Sequence, residues 1–376
     1  MNDSLFGIKD FEVYAVLAIV AFFGICETLA GYLHRTKRRG DDWIQEVGGF
    51  FILAVIIKPL IVFAAFVLGE TLIPSFQNRF ADLSMWFVLP VFLLVDDFLQ
   101  YWHHRFSHEY EFLWKLHRPH HQAEEMGFFV SFRNSGLFYV LFPNIWWLSL
   151  VIFLGGARAA ALGVIIKQLL VIAAHSTLTW DSFLYRFQSL NPLTTVLERI
   201  FITPAFHYAH HGVSQIDGIS DPNGNYGNMF SIWDQMFGTA KFTRRFPEKL
   251  GLINDPKEGW AACYFYPLIV SDKPESELSR GFQKPRTATE EPIVVSLDKN
   301  EQFLWCRCGK SRNQPFCDGT HHGSKSKPLL CAAKRTGKAR ICNCKKTRTA
   351  PFCDNSHLAA SKEKARAAVV SSGIQK

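Results

Sequence analysis

Eleven of the 14 histidines lie before residue 212, and eight of them fall into three short sets. His104 and His108 stand at i, i+4, His117, His120 and His121 at i, i+3, i+4, and His207, His210 and His211 repeat that second spacing. On a helix each set faces one way. Neutral imidazole is a good ligand for first-row metals, and helix-borne sets aimed into one pocket can hold two ions with several ligands each. With no cysteine in the sets, iron and zinc both fit. Nitrogen-rich sites with open positions suit O2 chemistry at iron, whereas zinc usually takes about four ligands and leaves this many histidines in surplus. Isolated histidines such as His34 and His103 read as ordinary hydrogen-bonded residues.

A second set of ligand types lies near the C-terminus. CRCGKSRNQPFCDGTH runs from Cys306 to His321 and CNCKKTRTAPFCDNSH from Cys342 to His357, an internal repeat at an offset of 36 residues. Each copy offers three thiols and one imidazole in the spacing C-x-C-x8-C-x3-H: Cys306, Cys308, Cys317 and His321, then Cys342, Cys344, Cys353 and His357. A disulfide scaffold, a zinc knuckle and plain surface thiols compete for this pattern, and a cytoplasmic location argues against disulfides. Cys26, Cys263 and Cys331 are left over and read as ordinary thiols.

The elements that must position these residues are apolar. Hydrophobic residues make up 48% of the 376 and aromatics 14%, laid down in blocks, the pattern of a membrane protein. Three runs, Glu12 to Leu33, Val47 to Gly69 and Leu83 to Trp102, approach or exceed the ~20 residues a spanning helix needs. A fourth region, Gly136 to Ala174, is split by GGAR at 155 to 158 into two legs of a hairpin. The expectation is an all-α membrane domain with four or five spans and a cytosolic helical cap from 176 to 269, followed by a small irregular domain with short strands. The domain limits are 1–269 for the membrane domain, with its motif core at 85–245, 270–292 for a polar, Pro-containing linker, and 293–376 for the repeated unit.

Charge sets an orientation. HRTKRRGDD after the first run carries four Lys or Arg, whereas ETLIPSFQNRFADLS after the second carries only Arg79, which places the histidines on the cytoplasmic side. No cleavable signal peptide is evident. Residues 286–376 hold 18 Lys or Arg against 7 Asp or Glu, a balance of +11 in a chain of net +8. A basic unit beside a cytoplasmic leaflet is drawn to anionic lipid, and no nucleic-acid partner is expected. Lys58 and Lys167 interrupt apolar runs and read as snorkelling residues without chemistry.

DDFLQYWHHRFSHEYEFLWKLHRPHH, AHSTLTW, TPAFHYAHHG and NYGNMFSIWDQMFGT resemble the fatty acid hydroxylase and sterol desaturase superfamily of integral-membrane di-iron oxygenases, over about residues 85–245. By position, the resemblance implies nine iron ligands: His104, His108, His117, His120, His121, His175, His207, His210 and His211. It sets His103 beside the site and favours Asp97 over Asp96 as the carboxylate that orients a histidine N–H or faces water. Asn225 and Asp234 read either as support for the site or as turn caps. Thr177 stands where relatives often carry Asn.

The repeat resembles the CDGSH, or NEET-type, iron-sulfur domain, with Ser311 and Pro315 in the first copy and Thr347 and Pro351 in the second. That resemblance implies two [2Fe-2S] clusters, each on three Cys and one His. The second copy reads CDNSH, with Asn355 for Gly, and Asn tolerates the left-handed backbone such a turn needs.

Together these features point to an oxidoreductase, a membrane-bound, O2-dependent lipid hydroxylase whose attached clusters relay electrons from an upstream soluble reductase or ferredoxin. Desaturation at the same site, a sensing or cluster-transfer role for the repeat, and a zinc hydrolase are the alternatives. A bacterial inner membrane fits better than the endoplasmic reticulum.

Overall fold

Among the described residues, five helices are long and apolar enough to cross a membrane: Phe11–Leu29, Gly40–Leu72, Met85–Glu109, Gly136–Phe153 and Ala157–His175. The computed structural model describes the chain except Met1, Ser214, residues 253–254, Glu275, 280–290, 312–313, 318–327, His357 and 359–376, and describes only the backbone of residues 2–10, 33–34 and 216. By internal contact the chain divides into two units, Met1–Val213 with Gly224–Phe282, and Ser214–Asn223 with Gln283–Lys376.

In the first unit, α1 (Asn2–Leu29) packs on α5 (Ala157–His175). Helix α2 spans Gly40–Leu72 and includes two π-helical turns, Ile44–Gly48 and Leu53–Ile57. Its outer face leaves large apolar side chains uncovered, Phe63 at 68%, as does Trp86 at 71% at the start of α3 (Met85–Glu109). Such faces suit lipid, and this is an integral-membrane unit.

Helix α3 runs past the apolar run expected from sequence, without a break, so Asp97, His104 and His108 share one rigid element. The GGAR stretch makes the expected hairpin turn between α4 (Pro143–Phe153) and α5, with Gly155 at φ 96°. Pro143 sits in the first turn of α4, where its missing N–H costs nothing. Gly163 lets α5 close on α3, since a Cβ there would stand 2.4 Å from the Phe92 ring.

Short helices carry the rest of the unit. Those nearest the histidines or their supports are α6 (Glu111–His121), which lies between α3 and the hairpin in sequence, then α7 (Pro204–His211), α8 (Ile232–Met236) and α9 (Trp260–Tyr264).

Among its described residues the second unit holds four short strands, β1 (Ile293–Leu297), β2 (Gln302–Trp305), β3 (Leu329–Ala332) and β4 (Gly337–Ile341). The 36-residue repeat makes β3 the equivalent of β1, and β4 of β2. The pairing crosses between copies: β1 runs antiparallel to β4 with Val295 opposite Ala339, and β2 antiparallel to β3 with Phe303 opposite Cys331. Leu297, Phe303, Trp305, Ile341, Cys342 and Cys344 form its core.

Candidate metal centre

The nine histidines come together in the first unit, all buried, as two groups. His104, His108, His117, His121 and His210 form one and His120, His175, His207 and His211 the other, with ligand atoms within 4.8 Å of one another in each. The i, i+3, i+4 spacing explains the split. His117 and His121 lie a helical turn apart on α6 and serve the first group, while His120 turns to the second; on α7, His207 and His211 serve the second while His210 serves the first. His103, the residue before the first ligand, belongs to neither group and packs on Phe138 and Phe142 at ring separations of 4.7 and 5.3 Å.

The inward nitrogens are set by what holds the outward ones. Nδ1 of His104 donates to the Tyr226 carbonyl at 2.7 Å, His210 to that of Gly224 at 2.7 Å, His120 to that of Val130 at 3.0 Å and His175 to that of Val171 at 2.7 Å. A carbonyl can only accept, so each of these rings carries its proton on Nδ1 and turns a bare Nε2 inward. His117 Nδ1 finds the side chain of Asn134 instead, at 2.7 Å.

Nε2 pairs then face each other: His104 and His210, both bare at Nε2, at 2.9 Å, with His175 to His207 at 2.8 Å and His207 to His211 at 3.1 Å. Two adjacent ligands about 2.1 Å from one ion stand roughly 3.0 Å apart, so the spacing is that of a metal site. His117 and His121 leave a buried Nε2 with no partner among the described residues, which an ion would satisfy. Burial, reinforced by neighbouring imidazoles, holds His117, His120, His121, His207 and His211 well below the usual imidazole range, in the neutral form a metal needs.

The acidic and amide residues singled out from sequence act one step back. Asp97 orients no histidine. Its carboxylate accepts from the backbone N–H of Met229 and Phe230, both at 3.0 Å, and from the Trp233 indole at 3.1 Å, because the loop before α8 and the first turn of α8 present three donors to that face of α3. Asp96 pairs with Lys167 at 2.5 Å and Lys58 pairs with Glu12, so neither lysine stands alone. Asp234 accepts from the N–H of Tyr226 at 2.8 Å and of Gly227 at 2.7 Å. Asn225, at φ 55°, exchanges hydrogen bonds with Lys241 and donates to the Phe206 carbonyl at 2.9 Å. Both therefore cap turns and support the site at once, because the turn they shape delivers the Gly224 and Tyr226 carbonyls to His210 and His104.

Three positioning groups were not found from sequence. Glu27 on α1 accepts from Ser176 Oγ at 2.7 Å, Thr177 N at 2.9 Å and Phe128 N at 3.2 Å. It thus ties the end of α5, behind His175, to the segment whose Val130 carbonyl holds His120. The signal was a carboxylate inside an apolar run. Arg133, almost wholly buried, donates to the Pro119 carbonyl at 2.8 Å and pairs with Asp42 at 2.8 Å and Glu46 at 3.2 Å, fixing α6 to the start of α2. Asn134 is the third. Thr177 offers its N–H to Glu27, while its hydroxyl has no partner among the described residues.

In the second unit each motif follows a strand directly. Cys306 N donates to the Pro315 carbonyl at 2.9 Å and Cys342 N to that of Pro351 at 2.8 Å, while Cys317 N and Cys353 N return to the strands at 2.7 and 2.9 Å. The hydroxyls of Ser311 and Thr347 close equivalent turns on the carbonyls of Phe316 and Phe352 at 2.5 and 2.6 Å. Asn355 takes φ 63°, the left-handed conformation expected of it. Sγ atoms lie 3.7 Å apart for Cys306 and Cys308 and 3.4 Å for Cys342 and Cys344, close enough to share a ligand, with all nine cysteines free. The remaining implied ligands, His321 and His357, lie outside the described residues.

Comparison with known proteins matches residues 89–239 to the fatty acid hydroxylase family and residues 267–322 to the iron-binding zinc finger CDGSH type. Ornithine lipid hydroxylase OlsE of Rhizobium tropici is 27% identical over 290 residues, 72% of this chain and 82% of that protein. Human alkylglycerol monooxygenase is 30% identical over 165 residues, 42% of this chain and 31% of that protein. The mouse mitochondrial CDGSH iron-sulfur domain-containing protein 3 is 42% identical over 55 residues, 14% of this chain and 40% of that protein. The chain thus spans most of the first relative and less than half of the other two.

Proposed function

From a chain that joins a fatty acid hydroxylase domain to a CDGSH-type iron-binding domain, we propose an oxidoreductase that hydroxylates a membrane lipid with O2. The observation that carries this reading is the division of nine buried histidines into two groups of metal-site dimensions. Two irons, one held by each group, would supply the two-electron activation of O2 and insertion of one oxygen atom into a C–H bond. The balance is one lipid C–H, one O2, two electrons and two protons, giving an alcohol and water. The names of OlsE and alkylglycerol monooxygenase support a lipid substrate and hydroxylation over desaturation.

The chain's own residues have distinct tasks. The carbonyls of Tyr226, Gly224, Val130 and Val171 fix the ring tautomers, Glu27 and Arg133 lock the helices that carry them, and burial keeps bulk water away. The second unit carries two [2Fe-2S] clusters and passes single electrons inward from a soluble reductase or ferredoxin. Both units face the cytoplasm of a bacterial inner membrane, on the strength of the Lys and Arg that follow α1.

Purified protein, reduced without air and then given 18O2 with membrane lipid, should yield a lipid carrying one 18O atom. A product formed without O2, or zinc in place of iron, overturns the hydroxylase. Cys317→Ser with Cys353→Ser should abolish turnover with a reductase while a small chemical reductant still supports it. Unchanged turnover with the reductase would instead favour a sensing or cluster-transfer role for the second unit.

A further inference from the structure

Helix α3 has a second polar face. Asp97, Tyr101, His104 and His108 lie towards the histidine groups and the loop that supports them, whereas Asp96 and Gln100 lie a turn apart on another face and line a cavity of about 150 Å³. Asn144 of α4, Lys167 and Gln168 of α5, Ser131 and Asn228 add to its polar lining, and Phe138, Phe142 and Leu148 to its apolar wall. The cavity shares a wall with the five-histidine group. Asn134 lines it and accepts from His117 Nδ1 at 2.7 Å, and Phe138 lines it and stacks on the His117 ring at 5.1 Å and 19°.

Two features define what fits. First, the cavity is neutral. Its charged residues are Lys58, Asp96 and Lys167, and each lysine already has a carboxylate, Glu12 for Lys58 and Asp96 for Lys167 at 2.5 Å. A carboxylate or phosphate would meet no free cation. Second, it holds unused acceptors. Asn144 is 4% exposed, and its Nδ2 donates to the Asp96 main-chain carbonyl at 2.5 Å, which fixes the amide and leaves Oδ1 with no partner among the described residues. Gln100 Oε1 is likewise buried and unpartnered. A buried acceptor without a donor is costly, so the cavity selects a ligand that brings one.

We infer that this cavity binds the hydroxyl group of an uncharged lipid and holds it one side chain away from the five-histidine group. The inference rests on the lipid-hydroxylase reading and deepens it, since it names the chemical class the enzyme selects.

The test uses full-length, iron-loaded protein in detergent and three lipids with one chain: 1-hexadecanol, its methyl ether and hexadecanoate. Native mass spectrometry should show the alcohol bound at least about tenfold more tightly than either other lipid, the scale of discrimination expected of a site built for a hydroxyl. Asn144→Leu should remove the preference for alcohol over ether while ether binding stays the same. Asp96→Asn keeps the main-chain carbonyl but frees the Lys167 charge, so hexadecanoate should gain about tenfold. A gain of binding cannot come from misfolding, and metal analysis of each variant checks the histidine groups.

Equal binding of the three lipids to the unmodified protein, or no gain of hexadecanoate on Asp96→Asn, overturns the cavity's assignment. If alcohol binding is as expected but no 18O enters any lipid, the hydroxylase reading fails and the cavity's chemistry stands.

Discussion

His104, His120, His175 and His210 hand their Nδ1 protons to main-chain carbonyls, so no side-chain substitution can directly remove those partners. His117 is different, because it relies on Asn134, and the four-histidine group relies on Glu27 for the pieces that flank it. Asn134→Leu should weaken metal retention in the first group and Glu27→Leu in the second, each by about 10- to 100-fold. Iron content after a graded chelator challenge reads this as loss of one ion of two. In the second unit, Lys345 holds φ 61° where the equivalent residue of the first copy is Gly309 at 71°, a conformation glycine adopts more cheaply. Its ammonium lies over the Trp305 ring and donates to Gln314 at 2.6 Å, and Gln314 donates to Cys306 Sγ at 3.4 Å. A nearby cation favours the reduced, more negative cluster. Lys345→Met should therefore lower a cluster's reduction potential by roughly a few tens of millivolts, measured by redox titration of the visible spectrum. Cys263, buried against Gln122 and pushed up to about 12, should resist iodoacetamide at pH 8 until the protein is unfolded, as peptide mass mapping would show.

At the scale of elements, the helix-borne histidines were legible because a 3.6-residue period forces i, i+3 and i+4 side chains together. The division into two groups follows from that same period. The carbonyl partners were not legible, since a main-chain oxygen leaves no mark on residue type. Asp97 was misread for a related reason: sequence shows a carboxylate near histidines but not the three donors, from α8 and the loop before it, that reach it first. The repeat announced two equivalent motifs yet not how their strands pair, because equivalence says nothing about partners. The pairing of β1 with β4 and β2 with β3 leaves neither copy with a sheet of its own. A chain ended at residue 322 should therefore lose both cluster absorbances together, whereas independent copies would keep one. Ultraviolet–visible spectra of the shortened and full chains decide between the two.

For the whole molecule, the proposed function calls for different iron in the two units. Two ions in the membrane unit and two [2Fe-2S] clusters in the other would amount to about six irons and four acid-labile sulfides per chain. Elemental and sulfide analysis of purified protein checks this, and about two irons with no sulfide would reduce the second unit to a bystander. If the second unit is the electron donor, as proposed, covalent attachment also raises its local concentration. A chain shortened before residue 283 and supplied with the missing part at equal concentration should turn over at least about tenfold more slowly than the intact protein, in a reductase-driven assay of lipid oxidation.

The crossed strands of the second unit have one more implication. Two identical chains exchanging strands in this way would have two identical sites, bound by their symmetry. Written into one chain, the halves are released from that constraint, and they have diverged: Gly309 against Lys345, Gln314 against Ala350, and Asn355 in the second copy alone. Unequal sites can stand at unequal potentials, and an electron passing between them then has a downhill direction.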